Sequence, residues 1–116
     1  NNKKINIRSV MVEHGKVKSN FFIVDNKLAY ISDVSKIYTK DIKYFKKLKC
    51  LIIDCLWYNP HPSHFNLETA LGVIKKFNPK YDTNAFIVAL DDKNNWSLFM
   101  FTKHNKEIKR NNLKYL

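Results

Sequence analysis

Glycine, proline, arginine and cysteine are all scarce in this chain, and each scarcity excludes something. Two glycines and three prolines punctuate 116 residues. Gly15 and Gly72 stand far apart, so no glycine-rich phosphate cradle can be built, whether a Walker A loop or a G-x-G-x-x-G turn. The G-x-S-x-G elbow of serine hydrolases is absent too. The cysteines Cys50 and Cys55 fall in one run, Cys50-Leu51-Ile52-Ile53-Asp54-Cys55-Leu56. On a strand, residues at that separation face opposite ways and lie about 16 Å apart. A disulfide needs Cα atoms within about 7 Å, so the pair cannot bridge, and apolar surroundings disfavour a reactive thiolate. Unbridged thiols suit a reducing compartment, and the expected location is intracellular, in the cytoplasm. No apolar run approaches the roughly 20 residues of a membrane span. The opening Asn1-Asn2-Lys3-Lys4 has no apolar signal core, and it reads as a fragment boundary.

The formal charge is +11, yet Arg8 and Arg110 are the only arginines. Sequence-reading proteins favour arginine for its bidentate fork. The lysines are scattered among Asn, Ile, Tyr and Phe, the mixture that AT-rich coding produces. The charge reads either as that drift or as a basic surface for an anionic substrate. Hydrophobic content of 45% with 14% aromatic residues is that of one globular domain and not of a disordered segment.

The pattern is α/β. Residues 5–12 read as a strand followed by a loop at His14-Gly15. Residues 19–24 and 28–32 form a hairpin through Asp25-Asn26-Lys27. Thr39 is placed to cap a short helix over 40–48. The run 50–56 has the continuous apolar character expected of a strand buried on both faces. A Pro-rich loop, Trp57 to Phe65, follows, and Asn66 caps a helix over 67–77 with Glu68 in its first turn. Residues 85–90 and 96–101 are further strands, and the charged tail 105–116 is expected to be helical.

All four histidines fall in or beside loops that follow strands, where α/β proteins build their sites. These are His14, the pair His61 and His64, and His104; Asp33 ends a strand in the same way. Imidazoles and a carboxylate at successive strand ends could converge on one metal ion. Each also has a plainer reading: a surface or supporting histidine, or a turn residue for Asp33. His61-Pro62-Ser63-His64 lacks the spacing of a helical zinc pair. Asp54, inside an apolar run, needs a partner to offset its burial; it reads as a structural hydrogen-bond acceptor or as a group aimed into the site.

Val12-Glu13-His14-Gly15, Tyr30-Ile31-Ser32-Asp33, Leu51-Ile52-Ile53-Asp54-Cys55-Leu56 and His61-Pro62-Ser63-His64-Phe65-Asn66-Leu67-Glu68-Thr69-Ala70-Leu71 occur in this order. Together they resemble metal-dependent hydrolases of the metallo-β-lactamase fold, in particular the cyclic phosphate phosphodiesterase of bacterial phosphonate utilisation. The match runs over residues 10–80 and covers the second half of the family's domain, leaving residues 81–116 divergent. The resemblance implies half of an αββα sandwich, a mixed sheet with helices on one face. It implies two divalent ions, zinc or manganese, in the complete enzyme, and an absent or partial set in this chain. A small or cyclic phosphodiester would be hydrolysed by metal-activated hydroxide.

By the same resemblance His14 is a metal ligand, Asp33 a bridging and catalytic carboxylate, and His64 a catalytic proton donor or phosphate contact. The family's H-x-H-x-D-H motif lies upstream of residue 1. Its last metal histidine has no counterpart in Ala85-Phe86-Ile87-Val88-Ala89-Leu90-Asp91, and His104 stands in as the third metal residue. The chain alone is expected to be inactive, with the missing half or a second copy against its sheet face. The competing cover for that face is residues 81–116 folded back. The alternative function is a Lys-rich nucleic-acid-binding module that uses Phe21, Phe22 and Tyr30 on a sheet; successive strand-end His and Asp residues disfavour it.

Overall fold

The computed structural model describes residues 3–77, 85–92, 95–102 and 107–114, with the side chains of residues 3–53 and 55–76. One mixed sheet runs through the chain in sequence order: β1 (Ile7–His14), β2 (Val17–Val24), β3 (Leu28–Ile31), β4 (Cys50–Cys55), β5 (Ala85–Asp92), β6 (Asn95–Thr102) and β7 (Glu107–Lys114). The pairings β3–β4 and β4–β5 are parallel and the others antiparallel. Parallel neighbours need crossover connections. A 3₁₀ helix (Thr39–Phe45) and α1 (Leu67–Phe77) lie in those two connections.

Two turns explain the first three strands. The β1–β2 hairpin closes on Gly15-Lys16, with Gly15 at φ 62°; a two-residue hairpin turn with glycine first requires that left-handed conformation. His14 is therefore the last residue of β1, paired with Val17, and not part of a loop. The β2–β3 turn uses Asp25 (φ 50°) and Asn26 (φ 57°), residue types that tolerate this region. Asp25 also exchanges hydrogen bonds with Asn6: the Asn6 N–H donates to Asp25 Oδ1 at 2.9 Å, and the Asp25 N–H to the Asn6 carbonyl at 2.8 Å.

Alternation along the strands divides the sheet into two unlike faces. Val10 and Val12, Phe21 and Ile23, Ala29 and Ile31, and Leu51, Ile53 and Cys55 are all buried on one face. Val34, Phe45, Leu48, Phe65, Ala70 and Ile74 complete that core from the helices and connections. Burying side chains of this size contributes about 1.5–3 kcal/mol each. The other face carries Ile7, Met11, Phe22 and Tyr30, each between 44% and 66% exposed. Helices on one face of a mixed α/β sheet is the expected arrangement.

Several expectations are corrected. Thr39 is the first residue of the 3₁₀ helix, and the capping position belongs to Tyr38, which makes no side-chain capping bond. Residues 107–114 are a strand and not a helix. β6 offers an open edge, and Asn111 and Asn112 are weak helix formers. Strands β5 to β7 extend the sheet sideways, so these segments do not fold back over the exposed face. Phe21 is fully buried and unavailable for stacking on a base. Strand β4 is covered on one face and not on both: Leu51, Ile53 and Cys55 are buried, but Cys50 and Ile52 are not. The Asp54 side chain lies outside the described residues. As expected, Cys50 and Cys55 are free thiols, and burial raises the Cys50 pKa above its usual value.

Candidate metal centre

The site forms where three connections meet at the His14 end of β1. The first is the segment after β3. Asp33 sits at φ 49°, a left-handed conformation that turns the chain sharply out of the strand. Residues 35–36 then lie along the end of β1. The Ser35 N–H donates to the Glu13 carbonyl at 2.7 Å, and the Glu13 N–H donates to the Lys36 carbonyl at 3.0 Å. The Gly15 N–H donates to Ser35 Oγ at 2.9 Å. Outside this ladder Tyr38 O–H donates to Glu13 Oε1 at 3.2 Å, and Lys18 donates in turn to Tyr38. That partner raises the Lys18 pKa. These bonds hold Asp33 beside His14.

The second connection is the Pro-rich loop between β4 and α1, tied at its neck. The Leu56 N–H donates to the Phe65 carbonyl and the Leu67 N–H to the Trp57 carbonyl, both at 3.0 Å. Asn66 is buried and holds two ends at once. Its Oδ1 accepts the Thr69 N–H at 3.0 Å, capping α1 as expected, while its Nδ2 donates to the Tyr58 carbonyl at 3.2 Å. The tip of the loop is thereby presented to the β1–β2 turn. A Cβ added to Gly15 would stand 2.8 Å from Ser63 Cβ, so the missing side chain is what admits the loop.

His14, Asp33 and His64 consequently converge, and one ligand atom from each lies within 4.8 Å of the others. His64 Nδ1 is 3.9 Å from Asp33 Oδ1, and the His14 and His64 rings meet edge-on at 4.5 Å. The His14 Nδ1–H donates to the Ser63 carbonyl at 2.7 Å. That bond fixes the tautomer and leaves the Nε2 lone pair free to ligate, the way metal-binding histidines are commonly oriented. The His64 pKa is lowered from 6.5, first by burial and then by His14, with Asp33 opposing. The shift favours the neutral ring, the form in which histidine ligates. Donors bound at about 2.1 Å to one cation stand at most about 4.2 Å apart, so any pair near the 4.8 Å limit would have to draw closer to share an ion. The two-nitrogen, one-oxygen donor set fits a borderline or hard divalent cation.

The cluster departs from the sequence expectation in membership. His64, expected to act on substrate, lies within ligand distance of His14 and Asp33. His104, expected as the third metal residue, lies outside the described residues. Gly15, Ser35 and Ser63 were not singled out by sequence, although Ser63 stands inside the His61–His64 motif and Gly15 directly follows His14. None of the three carries ligand chemistry, which is why pattern alone passes over them.

The chain matches no family model and no curated protein. Among solved structures it is similar to a diphosphatase of the PhnP family, with a TM-score of 0.64 and 23% identity. The match covers 72% of this chain and 31% of that one. The fold is accordingly that of part of a metallo-β-lactamase-like structure, and the chain spans less than a third of its neighbour. Among the described residues no helix is long and apolar enough to cross a membrane.

Proposed function

We propose that this chain is the metal-site half of a metal-dependent hydrolase acting on a phosphodiester or diphosphate. The convergence of His14, Asp33 and His64 carries this reading. His14 would ligate through Nε2, Asp33 through a carboxylate oxygen, and His64 through a ring nitrogen. A bound divalent cation, zinc or manganese, supplies Lewis acidity at a phosphoryl oxygen and lowers the pKa of a coordinated water. Ser63 holds the His14 ring in its ligating orientation, and the Ser35–Glu13 ladder keeps Asp33 in reach. Coordination suits His64 because its ring lies within ligand distance of His14 and Asp33, and burial favours its neutral form. Three ligands suit weak binding, and a second cation would need ligands from elsewhere.

The reading extends to a partner. The exposed face forms two cross-strand rows, Ile7–Val24–Leu28–Cys50 and Ser9–Phe22–Tyr30–Ile52, which are almost wholly apolar. A companion sheet bearing the H-x-H-x-D-H ligands would cover this face and complete the metal site. The PhnP-family neighbour extends well beyond the matched region, which supports such a companion. The test is complementation. The chain alone hydrolyses neither bis(p-nitrophenyl) phosphate nor a diphosphate ester. Co-expressed with such a half, it gains metal-dependent turnover that Asp33→Asn abolishes, and the preferred compound separates the two substrate classes. Turnover that survives Asp33→Asn would sink the reading.

A further inference from the structure

Ser63 faces two histidines and treats them oppositely. Its carbonyl accepts the Nδ1–H of His14 at 2.7 Å, while its own N–H donates to Nδ1 of His61 at 3.2 Å. Ser63 Oγ lies at the same 3.2 Å from that nitrogen. A neutral imidazole has one N–H and one lone pair. His14 therefore keeps a lone pair at Nε2, and His61 must carry its proton at Nε2. One residue thus sorts two neighbouring rings into a ligand and a donor. His61 is not in the metal cluster, yet its ring stands 5.3 Å from that of His64. Both rings line a cavity of about 280 Å³ with Ser35, Asn66 and Thr69, whose one carboxylate, Glu68, is exposed.

We infer that His61 is a substrate-binding residue, its Nε2–H donating to an oxygen of the phosphoryl group held beside the metal cluster. The inference rests on the proposed hydrolase reading for the identity of the anion. The donor itself is set by Ser63, whatever the anion. With its lone pair already engaged by Ser63, His61 presents only a donor to the cavity. Anionic oxygen is the matching acceptor, and a bond to a charged group is among the stronger hydrogen bonds. The hydroxyls of Ser35 and Thr69 lie in the same cavity, but their protons go to the Glu13 carbonyl and to Asn66 Oδ1, which leaves His61 to supply the donor.

Two substitutions separate the donor from the loop. In His61→Asn the amide oxygen can take the place of Nδ1 and keep the Ser63 N–H, but nothing reaches the Nε2 position. In His61→Gln the longer amide returns a donor there. Zinc affinity of the chain, by calorimetry, is expected to stay within about threefold for both variants. Inorganic phosphate affinity of the zinc-loaded chain is expected to fall about tenfold in His61→Asn, the loss of one bond to a charged group, and to recover in His61→Gln. Long-range ¹H–¹⁵N spectra of the metal-free chain should find His61 as the Nε2–H tautomer and His14 as the Nδ1–H tautomer, with the His61 signal moved by phosphate. An Nδ1–H tautomer at His61, unchanged phosphate affinity in His61→Asn, or equal loss of zinc would overturn the assignment. If wild-type chain binds no zinc, the hydrolase reading fails, while the tautomers and the phosphate shift of metal-free chain still decide the role of His61.

Discussion

Gly15 and Gly72 sit in opposite surroundings, and the same added methyl group should have opposite effects. Gly72 lies on an exposed stretch of α1 with nothing within 4 Å of an added Cβ. Gly72→Ala is expected to raise stability by about 0.5–1 kcal/mol, the usual helix preference for alanine. Gly15→Ala meets both a left-handed φ, costing about 1–2 kcal/mol, and Ser63 at contact distance. It should lower the urea midpoint and weaken zinc binding together, because the loop that orients His14 is pushed away. His64 gives a pH signature. Its folded pKa lies below 6.5, so the unfolded chain takes up the proton first. That contribution to stability is present above pH 6.5 and is lost as pH falls through and below it. Thermal midpoints of metal-free chain at pH 7.5 and pH 5.5 should differ more for wild type than for His64→Asn.

Among the elements, the connection from β4 into α1 matters most, because Asn66 both caps the helix and closes the histidine loop. Asn66→Asp keeps an acceptor for the Thr69 N–H and loses the donor to Tyr58. It should leave helix content unchanged while weakening zinc binding about tenfold. Asn66→Ala loses both and should cost about 1–2 kcal/mol as well. If the aspartate variant bound zinc like wild type, the loop would be held by other bonds. The cap was legible in the sequence because Asn66 before Leu67-Glu68 is a local signal. So were the hairpin at Asp25-Asn26, the unbridged cysteines and the strand at 50–55, though not its one-sided burial: Leu51, Ile53 and Cys55 are buried, and Cys50 and Ile52 are not. The tight turn at Gly15-Lys16 was not, since a single glycine does not announce a two-residue hairpin. The strand at 107–114 was not either, because its cause is the open edge of β6 and lies far away in sequence. At the site, places after strands offered all four histidines and Asp33 alike, and only the family resemblance singled out His14, Asp33 and His64, with His64 on the substrate side. Their distances could not be read, because these depend on residues 35–36 docking along β1 and on Ser63 closing over Gly15.

For the whole molecule, the two faces of the sheet make unlike demands. The helix-covered face is satisfied, while Ile7, Met11, Phe22 and Tyr30 are left to water on the other. Without its companion the chain should self-associate through that face. Light scattering is expected to give a mass above 13.8 kDa that returns to monomer in the double variant Phe22→Lys, Tyr30→Lys; a wild-type monomer at high concentration would contradict this. The central claim is the joint holding of one divalent cation by His14, Asp33 and His64. A zinc titration followed by calorimetry and histidine ¹⁵N spectra tests it most directly. One equivalent should shift the Nε2 resonance of His14 and a ring nitrogen of His64 together, with affinity lowered about 100-fold or more in Asp33→Asn. That exceeds the 10–100-fold typical of a residue that only supports a ligand. Asparagine is the right probe because it tolerates the left-handed backbone at position 33. Zinc binding that leaves both histidines unshifted, or that Asp33→Asn does not weaken, would contradict the account.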